Sequence, residues 1–361
     1  MTPDEHIQQP ATEQTEVVVV GAGPIGVEMA GVLQRQGTAY VLLDAGALGE
    51  SITRWPRDTR FFSSSEWVAV AGIPIHTRDQ GIVTGEEYLA YLRQVVEVLG
   101  LNLKTYERVD HIEREADQRF LLSTQTHSGV RYRYSSKYVV LATGDMNQPR
   151  RLGIPGEDLP HVTHYWNDPH AYFHKRLLIV GGKNSAVEAA IRCWRAGAQV
   201  AISYRGPALE QKRLISRLYL EIDLLMQNGQ IEFYGQSVPS RIEPGYVVLE
   251  PGARKVAADF VYLATGFTMD EQLYDQLNIE RSGPDRVPAF DPATMETPTA
   301  GVYVVGTATG GNQRHYRVFI TTSHEHCLRA ARSMFPGRSV SDGWVGNLQS
   351  RDYPLTSSDV E

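Results

Sequence analysis

The sequence predicts an α/β protein built from two Rossmann-like, three-layer dinucleotide-binding domains, the second inserted into the first. Two observations carry that expectation. Glycine-rich loops stand at Gly21-Ala22-Gly23-Pro24-Ile25-Gly26 and Gly181-Gly182-Lys183-Asn184-Ser185-Ala186, each between a short apolar run (17–20, 177–180) and a helix-like stretch. That strand–turn–helix context is where a helix N-terminus receives a pyrophosphate. The phrase Leu-Ala-Thr-Gly also occurs twice, at 141–144 and 263–266, and each copy closes one nucleotide-binding unit. The two units therefore read as an internal repeat.

Taken in order, residues 17–20, 24–36 and 40–44 read as strand, helix and strand of the first βαβ unit. An irregular stretch follows at 50–74, then a helix at 85–99 and alternating segments near 103–109, 120–123 and 132–138, which read as a small antiparallel insertion. The strand 138–142 runs into Thr143-Gly144, and Pro149, Gly153, Pro155, Gly156 and Pro160 mark a linker. The second βαβ unit spans 177–180, 184–196 and 199–204; a charged helix-like segment (209–228) and strands near 231–234, 246–249 and 260–264 follow. After a second linker (268–299), residues 302–305 with Gly306-Thr307 form another strand-to-turn, and 321–333 a final helix. The expected division is a discontinuous first domain at 16–150 and 270–345, a second at 151–269, a disordered tail at 1–15 and a C-terminal tail at 346–361.

A chain of 361 residues fits about two domains. Its 42% hydrophobic and 21% charged residues describe an ordinary globular protein. A net charge of −7 argues against nucleic acid or an anionic membrane surface as the main partner. No apolar run approaches the ~18 residues of a membrane span. The polar, acidic start reads as neither a secretory signal nor a transit peptide. Two cysteines, Cys193 and Cys327, make no disulfide framework, so a reducing, cytoplasmic setting is expected.

The repeat allows the two sites to be compared position by position. Asp44 lies 23 positions after Gly21, where a carboxylate accepts hydrogen bonds from an adenosine ribose. With Gly21, Gly23 and Gly26 all present and Pro24 opening the helix, the first loop is assigned to FAD. The same count from Gly181 reaches Tyr204, followed by Arg205. Losing the acid and gaining a guanidinium favours a 2′-phosphate, hence NADPH over NADH. Lys212, Arg213 and Arg217 follow closely and add charge or form a solvated helix face. Lys183 stands where the second glycine belongs, its ammonium offsetting phosphate charge.

Three stretches narrow the reading: 61–66 (Phe-Phe-Ser-Ser-Ser-Glu), 180–190 (Val-Gly-Gly-Lys-Asn-Ser-Ala-Val-Glu-Ala-Ala) and 203–206 (Ser-Tyr-Arg-Gly). With the two loops they resemble the bacillithiol-disulfide reductase (YpdA-type) family, within the thioredoxin-reductase-like two-dinucleotide flavoproteins. The resemblance covers most of 17–330. It implies FAD in the first domain, NADPH in the second, and the Phe/Ser segment, with Ser63 and Ser64, near the isoalloxazine. On this reading Val109, Thr143, Gly144, Gly306 and Thr307 complete the FAD contacts. Asn184, Ser185, Ala186, Thr265 and Gly266 join Gly181, Gly182, Lys183, Tyr204 and Arg205 around NADPH. The Cys-x-x-Cys pair of thioredoxin reductases is absent, as the resemblance to the bacillithiol-disulfide reductase family implies. The chain departs from that family in two ways: Thr307 replaces an aspartate common in the last flavin motif, and Ile25 stands where a flavin-proximal cysteine is often found. Ile25 cannot act as a thiolate nucleophile.

Cys193 and Cys327, each with alanines at helical spacing, read as buried structural thiols. Cys327, His324 and His326 follow the flavin turn and are the candidates to approach the ring. Four linker histidines (His161, His164, His170, His174) lack the spacing of a compact metal site. Glu28 and Glu188 occupy similar positions in the two repeat helices, where local packing or capping roles are expected. Arg54, Arg57, Arg60 and Ser63–Ser65 read as an anion-binding loop or a plain surface loop. The expected activity is hydride transfer from NADPH to FAD and on to an acceptor. That acceptor is either a low-molecular-weight disulfide or a ferredoxin- or flavodoxin-type carrier; a redox sensor without turnover is the remaining reading. A homo-oligomer is expected.

Overall fold

The computed structural model describes residues 11–166, 168–313 and 317–339. These fall into two compact units, one from 11–53, 58–148 and 267–339 and the other from 54–57 and 149–266.

The first unit is organised by a five-stranded parallel sheet in the order Val302–Val304, Tyr138–Leu141, Val17–Val20, Tyr40–Leu43, Leu103–Lys104. Val17–Val20 and Tyr40–Leu43 are buried throughout. An uninterrupted apolar run is what a parallel strand covered on both faces requires. Pro24 opens the helix Pro24–Arg35, whose residues Ile25–Leu33 are buried. Thr84 and Glu87 form a reciprocal capping box at the start of Gly85–Leu99, and left-handed Gly100 ends it. The final helix, Ile320–Met334, buries Ser323, Cys327, Leu328, Ala330, Ala331 and Met334.

A second sheet in this unit joins Glu107–Arg114, Phe120–Thr126 and Arg131–Ser136 as antiparallel neighbours. Its fourth strand, Thr12–Gln14, pairs in parallel with Arg131–Ser136, so part of the expected N-terminal tail is ordered structure. The remainder of that tail and the C-terminal tail lie outside the described residues. The segments expected at 132–138 and 138–142 are the strands Arg131–Ser136 and Tyr138–Leu141. The amides of Lys137 and Tyr138 both donate to the Glu16 carbonyl, and the chain passes there from one sheet into the other.

The second unit repeats the plan. Its parallel sheet runs Val162–Thr163, Phe260–Leu263, Arg176–Val180, Gln199–Ser203, Glu232–Tyr234. Register confirms the repeat: Val20 pairs with Leu43 and Leu141, and Val180 with Ser203 and Leu263. An antiparallel meander of Val238–Glu243, Tyr246–Glu250 and Arg254–Ala257 packs its buried residues with one face of this sheet. The segment expected as one helix at 209–228 is a short turn, Gln211–Arg213, and a helix, Ser216–Gln227. Leu214 and Ile215 between them are extended, and the Ile215 amide donates to Asn184 Oδ1 at 3.0 Å instead of to a preceding helical carbonyl.

Candidate functional site

In the first loop the three glycines do three different things. Gly21 has φ +107°, and a Cβ there would lie 2.4 Å from the Ala142 carbonyl oxygen. A Cβ on Gly26 would fall 1.8 Å from the Gly21 oxygen, so only glycine lets the helix approach the loop this closely. Around Gly23 nothing lies within 4 Å of such a Cβ. The helix N-terminus is thus left open at the one position where a pyrophosphate needs room. Asp44 faces this loop: Oδ2 accepts the Ala22 N–H at 2.6 Å and Oδ1 the Gly46 N–H at 2.8 Å. Glycine cradle, helix terminus and oriented acid fit the adenosine-diphosphate part of a dinucleotide.

The turns at the neighbouring strand ends converge on the same loop. The Thr143 hydroxyl shares a hydrogen bond with Tyr274 at 3.2 Å, and Gly144 has φ +72°. Gly306 has φ +74°, and a Cβ there would lie 3.1 Å from Ile25 Cβ, so Ile25 packs directly on this turn. The Gly306 N–H donates to His326 Nδ1 at 3.2 Å. Thr307 does not leave a gap where an aspartate was expected, for its hydroxyl bonds the buried Asp145 carboxylate, which also accepts from Gln313 Nε2 at 2.9 Å. Burial raises the Asp145 carboxyl despite these donors. Ser63 and Ser64 are partly buried. The neighbouring Ser65 fixes the segment, its hydroxyl donating to the Gly81 carbonyl and accepting the Val83 N–H. Val109 sits in the antiparallel ladder opposite Thr124 with its side chain in the core.

Glu28 does not play the local helical role expected of it. Its Oε2 lies 2.7 Å from Nδ1 of His324, 296 positions along the chain, and His324 Nε2 donates to the Trp67 carbonyl at 2.9 Å. The periodicity of neither helix signals such a pair. Cys327 is fully buried, donates to the Ile25 carbonyl and has a thiol pushed far up by burial. Burial likewise pushes the Cys193 thiol to about 12.

In the second unit Gly181 has φ +148°, and a Cβ there would lie 2.6 Å from the Ala264 oxygen. Ala186, buried under the loop, takes the place of the third glycine. Lys183 (φ −104°, ψ −179°) has the extended backbone of Gly23 (φ −73°, ψ −179°), so a side chain here costs no strain. The Tyr204 ring lies where Asp44 stands in the first unit. A Cβ on Gly182 would meet one edge of the ring at 2.5 Å, and a Cβ on Gly206 the other edge at 2.6 Å. Arg205 is exposed at the strand end, and no carboxylate among the described residues pairs with it. Arg213, by contrast, is paired with Glu210 at 2.9 Å.

Other expected contacts in this unit are internal ties. The Asn184 side chain holds the Ile215 amide, leaving its backbone to face a ligand. The Thr265 hydroxyl donates to the Arg150 carbonyl at 2.6 Å, and the Gly266 carbonyl accepts the Arg150 N–H. Ser185 lies partly buried in the first helical turn.

Two glycine-loop units of one design, with Asp44 at a strand end of the first and Tyr204-Arg205 at the matching strand end of the second, define a protein of two dinucleotide-binding domains. The chain belongs to the pyridine nucleotide-disulphide oxidoreductase family, which it matches over residues 18–306. Its relatives include the bacilliredoxin reductase Bdr of Bacillus subtilis (strain 168), 31% identical over 317 residues, covering 87% of this chain and 95% of that one. A solved structure, the bacillithiol disulfide reductase Bdr (YpdA) from Bacillus cereus, matches with TM-score 0.85 and 26% identity, covering 89% of this chain and 99% of that one. A ferredoxin–NADP reductase of Ignicoccus hospitalis is 30% identical over 190 residues, 53% of this chain and 56% of that one. No helix among the described residues is long and apolar enough to cross a membrane.

Proposed function

We propose that this protein is an FAD-dependent NADPH oxidoreductase, with FAD in the first unit and NADPH in the second. The observation that carries the reading is the contrast at one repeat position, where Asp44 faces the first loop and Tyr204-Arg205 the second. FAD would supply two-electron chemistry, taking hydride from the nicotinamide. The chain's own residues would bind and orient. The open helix terminus at Gly23 receives the pyrophosphate, Asp44 accepts from the ribose hydroxyls, and Thr143 and Gly306 frame the flavin end. Lys183 and the terminus of Asn184–Arg195 offset phosphate charge, and Arg205 pairs with the 2′-phosphate.

A low-molecular-weight disulfide such as bacillithiol disulfide is the first acceptor, supported by the names of the relatives. It would have to be reduced without a protein thiolate, because Ile25 carries no sulfur and both cysteines are buried with raised thiols. That same observation favours a second acceptor reading, a small electron-carrier protein, which needs no cysteine.

Anaerobic NADPH titration of the purified protein, followed through the visible flavin spectrum, tests the proposal. Bleaching at about one NADPH per FAD is the expected result. Bound FAD that NADPH does not reduce overturns it. The two acceptors are then separated by measuring thiol release from bacillithiol disulfide against reduction of a ferredoxin or flavodoxin.

A further inference from the structure

Asp145 is a buried carboxylate one residue past the Thr143-Gly144 turn, and the reading above gives it no role. Its neighbours fix where each hydrogen points. Gln313, also buried, accepts the N–H groups of Arg317 at 3.0 Å and Val318 at 2.8 Å through Oε1. Two donors on that oxygen settle which way the amide is turned. Nε2 therefore faces the other way, donating to the Val318 carbonyl at 3.1 Å and to Asp145 Oδ2 at 2.9 Å.

The Thr307 hydroxyl donates to the same carboxylate. Burial raises the Asp145 carboxyl, and the donors at Thr307, Gln313 and its own backbone amide oppose that rise. A hydroxyl has one hydrogen and two lone pairs. With its hydrogen committed to Asp145, Thr307 Oγ1 offers an acceptor in every other direction. An amide at position 145 could not enforce this. Its oxygen would serve only one of Gln313 and Thr307. Its NH2 would then either oppose the Gln313 amide or turn the Thr307 hydrogen outward.

Thr307 is partly exposed, and its place is defined by two glycines. A Cβ on Gly144 would lie 3.7 Å from Thr307 Oγ1, and it would meet nothing else within 4 Å among the described residues beyond its chain neighbours. The preceding Gly306 packs on Ile25, inside the loop assigned to the pyrophosphate. An acceptor beside an open glycine surface, next to a phosphate position, selects a ligand group that can donate. An ionised pyrophosphate has no hydrogen to give. The ribityl chain that follows it in FAD has hydroxyls.

We propose that Asp145 is a positioning residue for the flavin cofactor, holding the Thr307 hydroxyl as the acceptor for a ribityl hydroxyl. This rests on the assignment of FAD to the first unit. The acid missing at position 307 is supplied from position 145 and acts through one intervening hydroxyl.

The test is fluorescence titration of the flavin-free protein with FAD, run on single and paired variants. Asp145→Asn and Thr307→Val should each weaken binding about 10-fold, whereas Thr307→Ser, which keeps the hydroxyl, should stay within about 3-fold of the wild type. Asp145→Asn/Thr307→Val should lose about 10-fold and not about 100-fold, because both changes break one chain of bonds. Thr307→Asp/Asp145→Asn returns the acid to the turn. There Gln313 donates to the introduced amide oxygen, and the amide NH2 donates to the introduced carboxylate, whose other lone pairs face the ligand. This pair should bind FAD within about 3-fold of the wild type.

A purely structural Asp145 predicts neither result, so additive losses in the first pair, or no recovery in the second, overturn the proposal. If Asp145→Asn does not fold, as its circular dichroism would show, Thr307→Asp alone is compared with Thr307→Asp/Asp145→Asn. The single change sets two carboxylates side by side and should bind FAD at least about 10-fold more weakly than the pair; equal affinities overturn the proposal. Wild-type protein that takes up no FAD is recognised from the absent flavin absorbance and overturns the cofactor assignment itself. FAD uptake that Asp145→Asn and Thr307→Val leave unaltered overturns the positioning role alone.

Discussion

The Asp44 carboxylate accepts the Ala22 backbone N–H at 2.6 Å, so an acid at one strand end is tied to the loop at the end of its neighbour. In the second unit the Tyr204 ring rests on Gly182, the position equivalent to Ala22. The first arrangement places negative charge beside its loop; the second places an aromatic surface beside a guanidinium. Asp44→Asn removes a charge-assisted acceptor worth about 1.5–3 kcal/mol, which corresponds to about 10- to 160-fold weaker FAD binding. Fluorescence titration of the flavin-free protein with FAD measures this, and an unchanged affinity would remove Asp44 from the site.

Arg205 is exposed and unshared with any carboxylate among the described residues, so its charge is available to a ligand. Arg205→Gln should lower kcat/KM for NADPH about 10-fold or more while leaving that for NADH nearly unchanged. Arg213→Gln should do much less, because Glu210 already occupies that guanidinium. Equal losses with both nucleotides would sink the 2′-phosphate assignment.

Gly182 exists for the Tyr204 ring as much as for a nucleotide. Gly182→Ala places a methyl 2.5 Å from the ring, and overpacking of this kind costs about 1–3 kcal/mol. The double variant Gly182→Ala/Tyr204→Ala should recover most of that loss, since the clash is gone. Denaturant unfolding of the four proteins in the cycle decides it; strictly additive losses would mean that the methyl clashes with something else.

His326 makes stability depend on acid. Its folded value of about 4 lies below the ordinary 6.5, so the unfolded chain takes up the proton first. The stabilisation is complete above about pH 6.5, is lost as pH falls, and amounts to about 3 kcal/mol in all, with about 2 kcal/mol gone by about pH 5. His324, with a raised value, works the other way: its contribution is full below its unfolded value and fades as pH rises through the folded one. Comparing the wild type with His326→Asn by urea unfolding from neutral to acid pH isolates the first effect. The variant should lose less stability on acidification, and parallel curves would contradict the assignment.

What was legible in the sequence followed from local constraint. Gly21, Gly26 and Gly181 are glycines because a carbonyl oxygen lies where a side chain would begin, and that demand is written within one strand–turn–helix. The two Thr-Gly turns lie beside their loops because Leu141 and Leu263 pair with Val20 and Val180, as an internal repeat requires. The fold class and the family could be read at this level. What stayed hidden depends on contacts distant in sequence. Nothing near Glu28 announces His324, and nothing near Asp145 announces Thr307 or Gln313. The break before Ser216 was missed for the same reason, because the amide that ends the turn is held by Asn184, from another helix.

The edge strand of the first sheet, Val302–Val304, comes from beyond the inserted unit, whereas all strands of the second unit's parallel sheet are complete by Leu263. The consequence is one of timing during synthesis. At about 5–20 residues per second, a ribosome needs on the order of a few seconds to go from the last strand of the second sheet to the missing strand of the first. The unit that begins later in the chain is therefore ready to fold earlier, while the segment begun first waits, with an unpaired flank at Tyr138–Leu141, for its last piece to emerge.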